Sequence, residues 1–386
     1  MKFDNLVLQE KIKKGLNYIE KENLDEAKII FEELKNDKQS ENAGLFFLGI
    51  IQIKKKNYTQ AKDFFNKILI NEPKNTDANL NLGLVYLEEK NNEKAIIFFD
   101  RVIKENQNNL NAIYHKGLAN FLRKNYNDAI FSLKKCINLN KNHTPSYLTL
   151  GHSFLNIKNF EKSIENYLKV LELDPKNNNA KFNLAWCYFA IMELDKAFKY
   201  YEFRKEKIRP NKKITEIKEK FRAREWLGED LNNKKIIILS EQGIGDNIQF
   251  FRYLFLIKKK YDAEIFFYIE KKLVHLFKNT PFKIISSLDQ INKVEYFQHL
   301  LSLPGIFYKE KKEIMKNIPY IKIDNDNNLK WKKKLSKFKK PLVALNWQGD
   351  KNFLFDDTRS IKLSFFKKLV QIKKYDFISI QKNFGV

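Results

Sequence analysis

The first half of the chain carries one arrangement of small, large apolar and polar positions that returns every 34 residues. Gly15, Gly49, Gly83, Gly117 and Gly151 stand in phase, and Ala185 takes the sixth place. Twelve residues after each comes a small residue: Ala27, Ala61, Ala95, Ala129, Ser163 and Ala197. Four further on comes a large one: Phe31, Phe65, Phe99, Leu133, Tyr167 and Tyr201. Each period reads as a helix pair. The small residues predict close approach of the two helices, and the large one is expected to fill the space between adjacent repeats. One pair cannot bury its apolar face alone, so neighbours stack into a continuous core. Pro73 and Pro175 close two of the repeats.

After Arg209-Pro210 the period stops and the pattern changes kind. Residues 212–232 read as a charged connecting helix ending in REWLGEDL. The β-branched run IIIL (236–239) predicts a buried parallel strand. The turn SEQGIGDN follows, then a long apolar-periodic helix, IQFFRYLFLIKKKY. Further strands are predicted at EIFFYIE (264–270) and FKIISS (282–287), with a helix near KKLVHLFKN between them. PLVALNWQG (341–349) predicts another. Strands alternating with helices mean a parallel sheet with helices on its faces. Gly243 and Gly245 allow a tight turn and close approach to a ligand, and a helix opening there favours an anion. As a dinucleotide fingerprint the turn is weak, because Ile248 stands where a third glycine belongs.

Over 8–211 the phased residues resemble the tetratricopeptide repeat family. That resemblance implies a groove lined by the first helix of each repeat, where a protein or peptide partner would bind. Phe46, Leu80, Tyr114, Leu148 and Phe182 would face it, with Ile50, Leu84, Leu118, His152 and Trp186 one turn on. Packing between helices is the competing reading for each of these side chains. His115, His143 and His152 show no metal-ligand spacing, and no metal is expected.

The second half resembles bacterial proteins that join tetratricopeptide repeats to a GT-B glycosyltransferase. These are similar to the lipopolysaccharide heptosyltransferases and, more distantly, to the O-linked N-acetylglucosamine transferases. The matching blocks are REWLGEDL (224–231), EQGIGDNIQFFRY (241–253), HLLSLPGIF (299–307), VALNWQGDKNFLFDDTRSI (343–361) and FISIQK (377–382). The resemblance implies an α-solenoid over 8–211 and a connecting helix over 212–232. A first Rossmann-like α/β domain would follow at 233–325, a basic linker or helix at 326–340, and the start of a nucleotide-binding domain at 341–386. It also implies that Asp246 is the base that takes the acceptor hydroxyl proton. Read from the residues alone, Asp246 is as well suited to capping the helix that begins there. Gly243, Gly245, Asn247, Gln249 and His299 would contact acceptor or sugar, His299 from the end of a strand facing the cleft. Trp347, Gly349, Arg359 and Ser360 would hold the donor phosphates, Arg359 through paired hydrogen bonds. The competing reading for Arg359 is an ion pair with Asp356 or Asp357, and Trp347 reads from its type more as a core residue than as a base-stacking one. The family's second domain runs on well beyond this chain, so the 386 residues are expected to be catalytically incomplete.

Composition adjusts this picture only slightly. The net charge of +25 raises nucleic acid as a partner. Lysines are spread along the chain among acids, and Lys, Asn, Ile and Phe are all encoded by A/T-rich codons, so no nucleic acid is expected. The densest basic stretch, Lys330 to Lys340, reads as an amphipathic helix or linker. Cys136 and Cys187 fall at apolar positions in repeat helices, which fits a reducing compartment. No apolar run is long enough to span a bilayer and no signal peptide is found, so the expected location is the cytoplasm. The resulting expectation is a glycosyltransferase-like protein that takes a nucleotide-sugar donor, needs no other cofactor and recruits its acceptor through the repeats. The alternative is a non-enzymatic binding scaffold.

Overall fold

The computed structural model describes residues 2–207, 212–241, 243–310, 319–322, 325–349 and 360–381. The chain divides into two compact units, residues 1–215 and 216–386.

The first unit is a helical solenoid of six helix pairs. They are α1 (Lys2–Glu20) with α2 (Leu24–Lys35), α3 (Glu41–Lys54) with α4 (Tyr58–Asn71), and α5 (Thr76–Glu88) with α6 (Asn92–Glu105). Next come α7 (Leu110–Leu122) with α8 (Tyr126–Leu139), α9 (Thr144–Asn156) with α10 (Phe160–Leu173), and α11 (Asn178–Ala190) with α12 (Leu194–Tyr201). Each helix packs mainly on its neighbours in sequence.

The phased glycines have a direct steric cause. A Cβ at Gly83 would lie 2.5 Å from the Phe99 ring, and one at Gly49 2.6 Å from Phe65. At Gly15 it would lie 2.3 Å from Phe31, and at Gly151 2.6 Å from Tyr167. The large residue therefore packs onto the glycine of its own repeat. It also fills the space to the next repeat, as expected: Phe31 stacks on Phe47 at 4.7 Å, and Phe65 shares a buried cluster with Ala78 and Leu82. A second small position, Gly44, Ala78, Ala112, Ser146 and Ala180, is buried in each following repeat. At Gly44 an added Cβ would meet the Lys35 backbone nitrogen at 2.3 Å, so this position sets the approach of one repeat to the next.

The turn inside each pair is also periodic. Glu22, Lys56, Lys90, Lys124, Lys158 and Met192 all adopt left-handed backbone, with φ between +57° and +65°. Asn57, Asn91 and Asn159 follow directly, and their side chains accept the backbone N–H of Gln60, Lys94 and Lys162. Asn75, Asn109 and Asn177 cap the first helices in the same way. Such a cap contributes about 1 kcal/mol. At these positions Asn has a structural role that a codon bias does not describe.

The second unit holds a five-stranded parallel sheet. Its strands are β1 (Arg224–Glu225), β2 (Lys235–Leu239), β3 (Glu264–Tyr268), β4 (Lys283–Ile285) and β5 (Tyr296–His299), in the order β1-β5-β2-β3-β4. From β2 the chain runs outward to β3 and β4, then returns to place β5 on the other side of β2. The expected connecting helix ends at Phe221. Arg222 turns the chain at φ +53°, and the next residues join the sheet because fully buried Trp226 anchors them. The expected long helix is two, Ile244–Phe250 and Tyr253–Lys260. They separate where Phe251 plunges into the core against Phe255, Phe267, Phe277 and Phe282. A separate parallel pair, β6 (Leu342–Leu345) and β7 (Asp376–Ser379), lies near the end of the chain. The helix Asn325–Leu335 carries most of the basic stretch and buries none of its residues, so it lacks the expected amphipathic contact.

Candidate functional site

Three places collect the residues singled out above. The first is the face of the first helices in the solenoid. Phe46, Leu80, Tyr114, Leu148 and Phe182 recur at the same position of α3, α5, α7, α9 and α11, and all five are half-buried. Each also contributes to packing. Phe46 meets Phe65 edge-on at 5.9 Å, and Phe182 meets Trp186 at 5.9 Å. Trp186 is 48% exposed, whereas His152 bonds Asn183 at 3.1 Å. The stripe is thus apolar and shared between helix packing and an open face.

The second place is the carboxyl edge of the five-stranded sheet. The helix after β2 begins at Ile244, with Gly243 as its N-cap, so Asp246 is not the cap itself. Asp246 sits one turn in, half-buried, and its Oδ2 accepts the Gly243 N–H at 3.0 Å. Asn247 is buried and donates to the Gly243 carbonyl at 2.9 Å, which makes it a clamp on the turn. Gln249 is exposed, as are Gly243 and Gly245, and a Cβ at Gly245 would meet nothing within 4 Å. His299 ends β5 but does not face an open cleft, correcting the expectation. Its side chain is 3% exposed and its Nδ1 lies 3.1 Å from Oε2 of Glu241, which is itself 5% exposed. The two atoms are within ion-pair reach but not aligned for a hydrogen bond. The other Glu241 oxygen accepts the Leu301 N–H at 3.1 Å.

The third place is the end of β6. Trp347 is buried, 8% exposed. Gly349 N–H donates to Ser360 Oγ at 3.0 Å, so these two candidates do meet. Gln381 binds the same loop, accepting from the backbone of Trp347 and Gln348 and donating to the Gln348 carbonyl. Arg359 lies outside the described residues. A cavity of about 430 Å³ lined by Lys234, Lys235, Lys258, Glu264 and Lys283 sits at the opposite edge of the five-stranded sheet, away from the glycine turn.

Comparison with known proteins bears on the first unit. Residues 52–121 and 148–202 match models described as tetratricopeptide repeat. Residues 88–170 match the model for anaphase-promoting complex, cyclosome, subunit 3. The first unit is built of tetratricopeptide repeats. Among solved structures, the chain is similar to MamA at 26% identity, over 43% of this chain and 96% of that one, with a TM-score of 0.40. It is similar to PilF of Pseudomonas aeruginosa at 16% identity, over 56% and 98%, with a TM-score of 0.49. A tetratricopeptide repeat protein of Parabacteroides merdae is similar at 21% identity, over 50% and 77%, with a TM-score of 0.44. No curated protein matches the chain.

Within the tetratricopeptide unit, Cys136 and Cys187 are free and buried, and burial pushes both thiols up. Burial, and secondarily the neighbouring His143, lowers His115 to about 4. His143 shares a 2.8 Å hydrogen bond with Ser146. Among the described residues no cluster of His, Cys, Asp and Glu is arranged to hold a metal, and no helix is long and apolar enough to cross a membrane. In the second unit, the sequence reading passed over Glu241. Its signal was present, since the residue opens the EQGIGDN block directly after a strand. Its partner His299, however, is 58 residues away and reaches it only through the pairing of Leu239 with His299 in adjacent strands.

Proposed function

We propose that this protein is a binding scaffold, in which the tetratricopeptide unit holds a peptide segment of a partner along the stripe Phe46, Leu80, Tyr114, Leu148 and Phe182. The observation that carries this reading is the recurrence of half-buried apolar side chains at one position of five successive first helices. An extended segment laid across them would bury apolar surface without disturbing the core behind. The test is a peptide array read with the full chain and with a Tyr114→Glu, Leu148→Glu variant. Peptides selected by the native chain and lost in the variant, with helical content unchanged, support the reading. Equal binding by both chains would remove the stripe as the site.

A second reading, for the α/β unit, is a nucleotide-sugar site that serves glycosyl transfer. It is favoured by the glycine turn at the carboxyl edge of a parallel sheet, which carries Asp246 where a base would stand. In that reading Asp246 takes the acceptor proton, and Gly349 and Ser360 lie near the donor phosphates. Calorimetric titration with uridine diphosphate tests donor binding; absence of heat counts against this reading and leaves the scaffold standing.

A further inference from the structure

The strand order reverses at one point of the sheet, between β2 and β5. In open parallel sheets, ligands bind outside the carboxyl ends of the strands at such a point. Glu241 lies two residues beyond the end of β2, and His299 is the last residue of β5. They are the two ionisable side chains buried together there. A carboxylate oxygen 3.1 Å from Nδ1 favours a proton on that nitrogen, since a bare lone pair would face another lone pair. In a ring with that single proton Nε2 is an acceptor; both ring nitrogens are buried with no hydrogen-bond partner. A buried acceptor left unsatisfied costs about 1–3 kcal/mol.

We propose that Glu241 and His299 form a ligand-recognition pair at this switch point, with Glu241 as positioning residue and His299 Nε2 accepting a hydrogen bond from a ligand hydroxyl. A neutral donor suits the place better than a charged one. Leu300, Leu301 and Leu303 are all buried beside His299, and a charge brought among them would lose its hydration. The neighbouring turn is open to solvent: Gly243, Ile244 and Gly245 are exposed, and a Cβ at Gly245 would meet nothing within 4 Å. The use of a sugar-bearing probe rests on the nucleotide-sugar reading; the pair itself does not.

The experiment is nitrogen NMR on the full chain with ¹⁵N-labelled histidine. The chain has five histidines, and His299→Gln assigns the signal in question. The free protein is expected to show the Nδ1-protonated tautomer at His299, and Glu241→Gln to shift it toward the mixture of free imidazole. Uridine diphosphate N-acetylglucosamine, or free N-acetylglucosamine at high concentration, is expected to move the Nε2 signal to the hydrogen-bonded range. Uridine diphosphate alone is expected to leave it unmoved. Glu241→Gln, which keeps the shape of the side chain, is expected to weaken sugar binding about ten- to hundredfold. An Nε2-protonated tautomer in the free chain, or an unchanged tautomer in Glu241→Gln, overturns the pair. Binding seen at other signals with Nε2 unmoved overturns its recognition role but leaves the nucleotide-sugar reading intact. A response to free sugar without any response to uridine diphosphate supports the pair and removes that reading. No response of His299 to either sugar overturns the proposal.

Discussion

Replacing Gly83 with Ala adds one carbon against a wall. The new Cβ would stand 2.5 Å from Phe99 Cε1, 2.8 Å from Cδ1 and 3.0 Å from Cζ, where carbon atoms prefer about 3.5–4.0 Å. Phe99 is fully buried, so its ring has no free space to yield into. Ala gains about 1 kcal/mol over Gly in helix propensity. Overpacking a tight core costs about 1–3 kcal/mol, and ring atoms this close place the site at the upper end. The expected net loss is about 1–2 kcal/mol. Gly117 supplies the internal control. Its partner is Leu133, whose nearest atoms would lie at 3.0 Å rather than 2.5 Å. Gly117→Ala is expected to be near neutral. Urea unfolding followed by helical circular dichroism measures both, compared at equal slope. The double variant Gly83→Ala, Phe99→Leu recreates the Gly117–Leu133 spacing and should lose less than the sum of the single changes. If Gly83→Ala is as stable as Gly117→Ala, or the double variant shows simple additivity, steric contact does not explain the phased glycines.

Lys90→Gly relieves left-handed backbone at φ +61° and should raise stability by about 0.5–1 kcal/mol, whereas Lys94→Gly within α6 should lower it by about 1; urea midpoints decide. His115 is held neutral with its pKa lowered to about 4, so the unfolded chain binds more protons between that value and about 6.5. Its contribution is therefore present above about 6.5 and lost as pH falls toward 4. His115→Gln should flatten the acid limb of the stability profile by at most about 3 kcal/mol, and an unchanged limb would refute the assignment. Phe251→Ala should cost about 3–5 kcal/mol in the second unit, read as early loss of tryptophan emission from Trp226, because four aromatic rings close around it.

Much of the first unit was legible because its determinants are local. Gly83 and Phe99 lie 16 residues apart in one helix pair, and their phase repeats. The packing of the large residue against the next repeat was read correctly, but its close contact with the glycine of its own repeat was not, because periodicity gives positions but not directions. The strands of the second unit were legible as apolar runs, yet the split at Phe251 was not. Phe250 and Phe251 look alike in sequence, and only the ring cluster from β3 and beyond selects Phe251 for the core. Glu241 and His299 were read separately for the same reason, since strand order, not spacing, brings them together. Asp246 showed both of its faces in the sequence, and the structure narrows only one: it supports the turn from inside the helix.

Among the described residues, each helix in the first unit rests mainly on its sequence neighbours, so the fold sets no fixed number of repeats. The same buried small position recurs where one repeat meets the next, and at three of these joins an Asn caps the incoming helix. Duplicating or deleting one complete period in the gene would therefore leave both new junctions made of matching surfaces. The length of the apolar stripe can change in whole-repeat steps without redesign of any core, so a lineage can lengthen or shorten that face before it alters the side chains of any one repeat.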